Sequence, residues 1–489
     1  MESRNGEVLR FVLAVGRFLW ITAFFLGVPA LSFAASWEDG QTMHLRLFHR
    51  NELEFRQPAG HHDDEEAMLQ YLRELTERDL LRQRRMYNMI SPSRRKAAEI
   101  ESGLAAERSF EAPISSGAYV GVGEYFVKLR VGTPAREYLL VADTGSDLTW
   151  TKCASDEQLR PGGFLSFPAV GSGSFVPIPC SSDMCKSVLP FTLASCPTTE
   201  SPCHYDFQYV DGSFTRGIYA NETVSAPTPD GIVSEIRDVL IGCSSEFQGK
   251  SFNRSDGVLG LGQSAVSFAV TAAKIYGGKF SYCLVDHLSR RDVHNYLVFG
   301  QNPRFSNQRD DVRFTPLVLD ASIQPFYGLV VRGISVDGSW LPIPELVWKF
   351  QFSGGSASNG VIIDSGMTLT TLVRPAYDVV MAAFQWYFRN SETFQLAPFQ
   401  LCFNTTGLTA RETNMMGPRM VIHLGGGARF IPHTGGYIVA VARNVRCVGI
   451  VPGSFPGLSV IGNILQQHYV WEYDLLNAKL GFAPSHCRN

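Results

Sequence analysis

V-I-I-D-S-G-M (Val361–Met367) and L-L-V-A-D-T-G-S (Leu139–Ser146) are two versions of one phrase. In each, a short apolar run enters an Asp, then a hydroxyl residue, then a Gly. The two aspartates are Asp143 and Asp364. Each half also carries a later apolar-apolar-Gly, Val258-Leu259-Gly260 in the first and Val460-Ile461-Gly462 in the second. This is an internal repeat, with one special Asp in each copy.

Outward from these phrases the chain reads as strands and turns. Tyr125 to Val131 alternates and ends at Gly132-Thr133-Pro134; Glu137 to Ala142 follows as a second strand. An exception is Pro375 to Phe388, where Val379, Val380, Ala383, Phe384 and Tyr387 recur at helical spacing. The 45 Gly, 26 Pro and 33 Phe suit a turn-rich β globule, and 45% hydrophobic against 18% charged residues allows a large core. The fold class expected is all-β, with two similar barrel-like lobes and a cleft between them. With 43 basic and 46 acidic residues, net −3, there is no electrostatic footprint for nucleic acid.

The chain divides into four parts. Arg4, Arg10 and Arg17 precede an apolar run from Phe18 to Ala35 that ends in small residues, so 1–35 reads as a signal peptide. The alternative is an uncleaved anchor, for which a run of about 18 residues is near the lower limit. No stable membrane insertion is expected after signal removal. Residues 36–112 hold an acidic run, Asp63 to Glu66, then an Arg-rich helical stretch from Met68 to Ile90. Arg82, Arg84, Arg85, Arg94, Arg95 and Lys96 make it basic. A pro-segment lying against an acidic cleft is expected there; the bland alternative is a solvated helix or linker. Residues 113–310 and 311–489 form the two lobes.

Ten cysteines behind a signal point to an oxidising compartment and up to five disulfides. Cys402 with Cys447, both in the second lobe, is the one bridge singled out. No Cys/His spacing makes a zinc site, so neither a metal nor a cofactor is expected. The sequons at Asn221, Asn253 and Asn404 fit glycosylated, exposed loops and secretory passage.

Two carboxyl groups held together can share one proton, because like charges that close cannot both ionise easily. The carboxylate takes a proton from water; the acid gives one to the scissile carbonyl. Asp143 and Asp364 each follow an apolar strand that would bury them. Gly145 and Gly366 open the turns, and Thr144 and Ser365 add hydroxyls. No G-x-S-x-G competes.

Eight ordered phrases carry a resemblance. They are G-E-Y-F-V-K-L-R-V-G-T-P (Gly123–Pro134), A-D-T-G-S-D-L-T-W (Ala142–Trp150), Y-V-D-G-S (Tyr209–Ser213) and D-G-V-L-G-L-G (Asp256–Gly262). Then come K-F-S-Y-C-L-V-D (Lys279–Asp286), V-I-I-D-S-G (Val361–Gly366), V-I-G-N-I-L-Q-Q (Val460–Gln467) and L-G-F-A-P (Leu480–Pro484). The chain resembles the pepsin-like aspartic peptidases, and more closely their plant subgroup, the nepenthesins and chloroplast-nucleoid-type proteases. The resemblance implies the bilobal pepsin-like fold and a catalytic dyad of Asp143 and Asp364. It implies that Thr144 and Ser365 brace the two loops, and that Ser146 sits beside the outer oxygen of Asp143. It implies that Tyr209 leads a substrate-binding flap with Asp211, Gly212 and Ser213, steadied by Trp150.

Three departures stand out. Met367 replaces the family's usual Thr or Ser, which removes a donor from the second carboxylate. Val210 replaces a Gly in the flap. Cys153 stands alone until Cys180, where relatives carry more cysteines. The implied function is an endopeptidase acting on polypeptides at acidic pH, monomeric, made as a zymogen and sent to the apoplast or vacuole. The alternative is an inactive binding protein on the same fold.

Overall fold

The structure is a computed structural model. It describes residues 42–43, 65–89, 109–116, 123–154, 167–193, 195–209, 212–227, 233–249, 252, 255–286, 295–306, 311–353, 356–409, 412–413, 416–442 and 444–487. The signal-peptide reading, Val210, Asp211 and Asn253 lie outside these residues.

Strands from both halves build one shared layer. Ser109–Ser116 pairs with Asn295–Phe299, which pairs with Lys279–Leu284. Lys279–Leu284 pairs in turn with Tyr469–Asp474 of the second half, followed by Lys479–Pro484 and Arg313–Val318. Each junction is antiparallel. Phe280 stacks on Tyr473 at 4.5 Å and Trp471 on Phe482 at 5.2 Å, so large aromatic area seals the layer.

The repeat has a structural counterpart in each half. Arg136–Asp143 runs parallel to Gly257–Gly260, with Asp143 opposite Gly260. Val361–Ile363 runs parallel to Ser459–Ile461. Parallel neighbours need a long crossover, which the intervening hundred or so residues supply in each half. The last six residues of Arg136–Asp143 and all three of Val361–Ile363 are buried. Both sides of these strands are covered, so they read as continuous apolar runs rather than as alternations.

The helix expected at Pro375–Phe388 spans Arg374–Tyr387, with Pro near its first turn where the missing N–H costs nothing. The basic stretch forms a helix at Glu65–Met89. The strand Ser109–Ser116 crosses the division expected at 112. Its backbone pairs with Asn295–Phe299 of the body and, at Ser109 and Phe110, with Thr42 and Met43 of the segment before it. Asn221, expected in an exposed loop, lies half-buried inside Phe214–Pro227, paired with Leu240 and Val176. Asn404 is exposed at the end of Phe399–Asn404.

All ten cysteines are paired: Cys153–Cys243, Cys180–Cys196, Cys185–Cys203, Cys283–Cys487 and Cys402–Cys447. Cys153, alone in the local sequence, reaches its partner because its strand runs parallel to Val233–Gln248. Among the described residues no helix is long and apolar enough to cross a membrane.

Candidate active site

The two repeat loops meet about a local two-fold axis, each making the same bonds to the other. Gly145 N–H donates to Asp143 Oδ1 at 2.9 Å, and Gly366 N–H donates to Asp364 Oδ1 at 2.8 Å. Thr144 N–H donates to Ser365 Oγ at 3.0 Å, and Ser365 N–H returns the bond to Thr144 Oγ1 at 2.8 Å. A Cβ added at Gly145 would overlap the Asp364 carboxyl, and one at Gly366 would overlap that of Asp143. The loops are therefore as close as glycine permits.

A second layer of amides holds them. Asn463 Nδ2 donates to Ser365 O at 2.9 Å and to Gly123 O at 2.9 Å. Gln466 Nε2 donates to Asp364 O at 3.1 Å, and Tyr282 donates to Gln466 Oε1 at 2.5 Å. Asn463 and Gln466 belong to the V-I-G-N-I-L-Q-Q phrase, so that phrase supplies the bracing amides as well as a strand.

The carboxyls differ. Asp364 is fully buried, and burial pushes it up to about 7 against the pull of Arg82; the neighbouring Asp143 raises it further. Its Oδ2 receives no hydroxyl bond. Met367 is wholly buried among Ile362, Leu458, Val460 and Phe326. Thr368 Oγ1 lies instead against Gly123. Ser146 Oγ, expected beside Asp143, is buried without a hydrogen bond. Asp143 Oδ1 is served by Gly145 N–H and by Arg82 instead.

Tyr209 caps the hairpin formed by His204–Gln208 and Phe214–Pro227. Tyr209 N–H donates to Ser213 O at 2.7 Å, and Gly212 takes φ +93°, the left-handed turn that favours glycine. Trp150 Nε1–H donates to Tyr209 OH at 2.6 Å. Phe252 packs edge-on against both rings, 4.9 Å from Trp150 and 5.1 Å from Tyr209. Trp150→Phe removes that bond at a cost of about 1 kcal/mol. A several-fold rise in KM, with kcat less affected, is expected in peptide hydrolysis; an unchanged KM would mean the bond does not set the hairpin.

Residues missed by motif reading stand over the dyad. Arg82 Nη2 lies 2.7 Å from Asp143 Oδ1 and 3.0 Å from Asp364 Oδ2, and its Nη1 donates to Gly366 O at 3.1 Å. The guanidinium occupies the place a reacting water and carbonyl need. It is carried by the Glu65–Met89 helix, which is anchored along its length. Asp79 accepts the N–H groups of Leu369 (2.7 Å) and Thr368 (3.2 Å). Gln83 donates to Leu458 O at 2.7 Å, and Arg78 pairs with Glu124 at 3.3 Å. Leu72, Leu75 and Met86 are buried, each worth roughly 1.5–3 kcal/mol in water excluded. Leu72, Leu75, Asp79, Arg82 and Met86 fall on one helical stripe, the only sequence signal for this face.

Two carboxyls on twin loops, one from each repeated half, are the arrangement around which the comparisons with known proteins can be set. Family profiles described as "Xylanase inhibitor N-terminal" and "Xylanase inhibitor C-terminal" match residues 125–301 and 326–484. Aspartyl protease family protein 2 of Arabidopsis thaliana is 35% identical over 77% of this chain and 74% of its own length. Aspartic proteinase nepenthesin-1 of Nepenthes gracilis is 31% identical over 76% and 80%. Among solved structures, basic 7S globulin from soybean superposes with TM-score 0.61 at 19% identity, covering 77% of this chain and 97% of that one. The chain belongs to the plant pepsin-like aspartic peptidase family.

Proposed function

We propose that the protein is an aspartic endopeptidase made as a secreted zymogen and active on polypeptides in acid. The observation that carries the reading is the two-fold loop pair, which holds two carboxyls close enough for one guanidinium to touch both. Once Arg82 leaves, a water between the carboxyls gives its proton to the Asp143 carboxylate and attacks the peptide carbonyl. Asp364, kept protonated below about 7 by burial, donates to the carbonyl oxygen. Asp143 then passes its new proton to the amide nitrogen, the C–N bond breaks to release the amine, and a diol hydroxyl returns its proton to Asp364 as the carboxyl product forms. Losing Arg82 removes a positive charge that lowers Asp364, and the neighbouring Asp143 continues to raise it.

Met367→Thr tests the acid assignment. A hydroxyl donating to the charged form lowers the pKa of Asp364. The alkaline limb of kcat/KM should move down by about one pH unit in a profile from pH 3 to 8; a fixed limb would remove Met367 from the titration.

A second reading, a binding protein on the same fold, is favoured by Met367, which stands wholly buried where a hydroxyl would otherwise serve the second carboxyl. Proteolysis of a denatured protein by processed material, from pH 2 to 7 with and without pepstatin, separates the two. Pepstatin-sensitive cleavage supports the enzyme, and none supports the binder.

A further inference from the structure

The two loop hydroxyls send their protons to different places. Ser365 Oγ accepts from Thr144 N–H and donates to Ala142 O at 2.9 Å, so its proton stays between the loops. Thr144 Oγ1 accepts from Ser365 N–H, and its own hydroxyl is a hydrogen-bonding neighbour of the Tyr473 phenol. The hydroxyls of Tyr473 and Tyr282 bond to each other at 2.9 Å, and Tyr282 meets Gln466 Oε1 at 2.5 Å. Gln466 Nε2 donates to Asp364 O at 3.1 Å and to Ile461 O at 2.8 Å. Only one arrangement of donors fits. Two backbone carbonyls can only accept, so the Gln466 amide turns its NH2 to them and its oxygen to Tyr282. That oxygen can only accept as well, so the single Tyr282 proton lies there. Tyr473 must then donate to Tyr282, which leaves the Tyr473 oxygen to accept from Thr144.

We propose that Tyr282 and Tyr473 are positioning residues for peptide hydrolysis, carrying a one-way hydrogen-bond chain through Gln466 to Asp364 O that holds the two dyad loops in a fixed relation. The inference rests on the peptidase reading and deepens it. The chain crosses between the halves, because Lys279–Leu284 and Tyr469–Asp474 are the strands that join them. The Thr144–Ser365 exchange ties the loops at one place. The phenols tie them at a second, and two ties resist a rotation that one would permit. Catalysis by a carboxyl pair depends on orientation to within a fraction of an ångström, so a small rotation is enough to slow it.

The surroundings make each link count. Thr144, Tyr282, Gln466 and Tyr473 are all buried. Phe280 stacks on Tyr473 at 4.5 Å, and Tyr327 meets it edge-on at 4.7 Å. In such a dry setting linked donors polarise one another, and a broken link leaves a buried polar group unserved. Burial, the largest influence, raises both phenols above their ordinary range, and the nearby Asp364 adds to the rise. Both therefore keep their protons throughout the acid range, and the chain keeps its direction wherever the dyad works. Among the described bonds neither phenol meets a dyad carboxyl, so the effect reaches the reaction through the loops and falls on turnover rather than on substrate binding.

The test measures hydrolysis of a fluorogenic peptide at pH 4 by processed parent, Tyr282→Phe, Tyr473→Phe and the double variant. Pepstatin titration counts intact sites, so that kcat is per folded molecule. Tyr282→Phe should lower kcat about tenfold or more, with KM within about twofold, because the buried Gln466 oxygen loses its donor. Tyr473→Phe leaves that bond in place and should lower kcat about threefold. The double variant should fall little below Tyr282→Phe, since the chain is already cut. Tyr125→Phe is the control for a lost buried hydroxyl, its bonds going to Val285 O and Gln467, and its kcat should stay within about twofold. An unchanged kcat in Tyr282→Phe, a loss carried by KM, or a double variant equal to the product of the two singles would overturn the proposal. Should Tyr282→Phe give no titratable site, Tyr473→Phe decides, and an unchanged kcat there overturns it. A parent without turnover would instead sink the peptidase reading.

Discussion

Replacing Asp143 or Asp364 by Asn is expected to lower kcat/KM for a denatured protein substrate by a thousandfold or more, counted on processed material at pH 4. General acid and general base each contribute about a hundred- to ten-thousandfold, and the substitution removes one of them while leaving a side chain of the same shape. The fold should survive. An Asn still offers an oxygen to Gly145 N–H or Gly366 N–H, where the carboxylates accept at 2.9 and 2.8 Å. A thermal midpoint within a few degrees of the parent would show that the loops remain. Burial adds a sign to the comparison. Asp364 loses a charge it holds reluctantly, so Asp364→Asn should cost less stability above pH 7 than below it, the raised group being stabilising in its protonated form. Proteolysis within tenfold of the parent in either variant would show that the dyad does not do the chemistry.

Arg82→Glu should produce the second large effect, in the opposite direction. In the full-length chain it places a carboxylate against two others in a site where Arg82 now shows little exposure. Breaking a buried charge pair by removing one partner costs about 3–5 kcal/mol, a factor of several hundred or more in seating. The uncut variant should hydrolyse a short fluorogenic peptide at pH 4 within about tenfold of processed protein, while the uncut parent remains below about 1%. Arg82→Lys should fall between them, because an ammonium cannot offer the planar fork that meets Asp143, Asp364 and Gly366 O together. Gels run beside the assay must show the chain still whole. A silent Arg82→Glu chain would mean that the helix blocks the cleft without its guanidinium.

How far the amino-acid sequence carries this picture depends on where each feature gets its energy. Local patterns carried the dyad loops, because an apolar strand ending in Asp-hydroxyl-Gly is a complete instruction for a buried carboxylate in a sharp turn. They carried the helix at Glu65–Met89 to within a few residues of the expected Met68–Ile90. A basic pro-segment against an acidic cleft was expected there, but which residue of the helix meets the dyad was not legible. Arg82 is one of several basic residues within fifteen positions, and what distinguishes it is contact with Asp143, Asp364 and Gly366 O, which the fold brings together from both halves. Ser146 and Asn221 failed for a related reason. A motif places a residue in a turn or marks a sequon, but a hydrogen-bond partner or a buried strand position is set by what packs against it. The partner of Cys153 was likewise decided by a parallel strand pairing ninety residues away.

The shared layer of strands also sets a clock. Lys279–Leu284 finds its partner only when Tyr469–Asp474 has been made, and Cys283 waits for Cys487, two residues from the end of the 489-residue chain. The first aspartate therefore precedes its twin by 221 residues of the chain. The groove for the inhibitory helix is finished by those same late residues, up to Ile464. The amides that brace the dyad loops, from Asn463 and Gln466, and the groove residue Ile464 thus come from one short stretch of the second half.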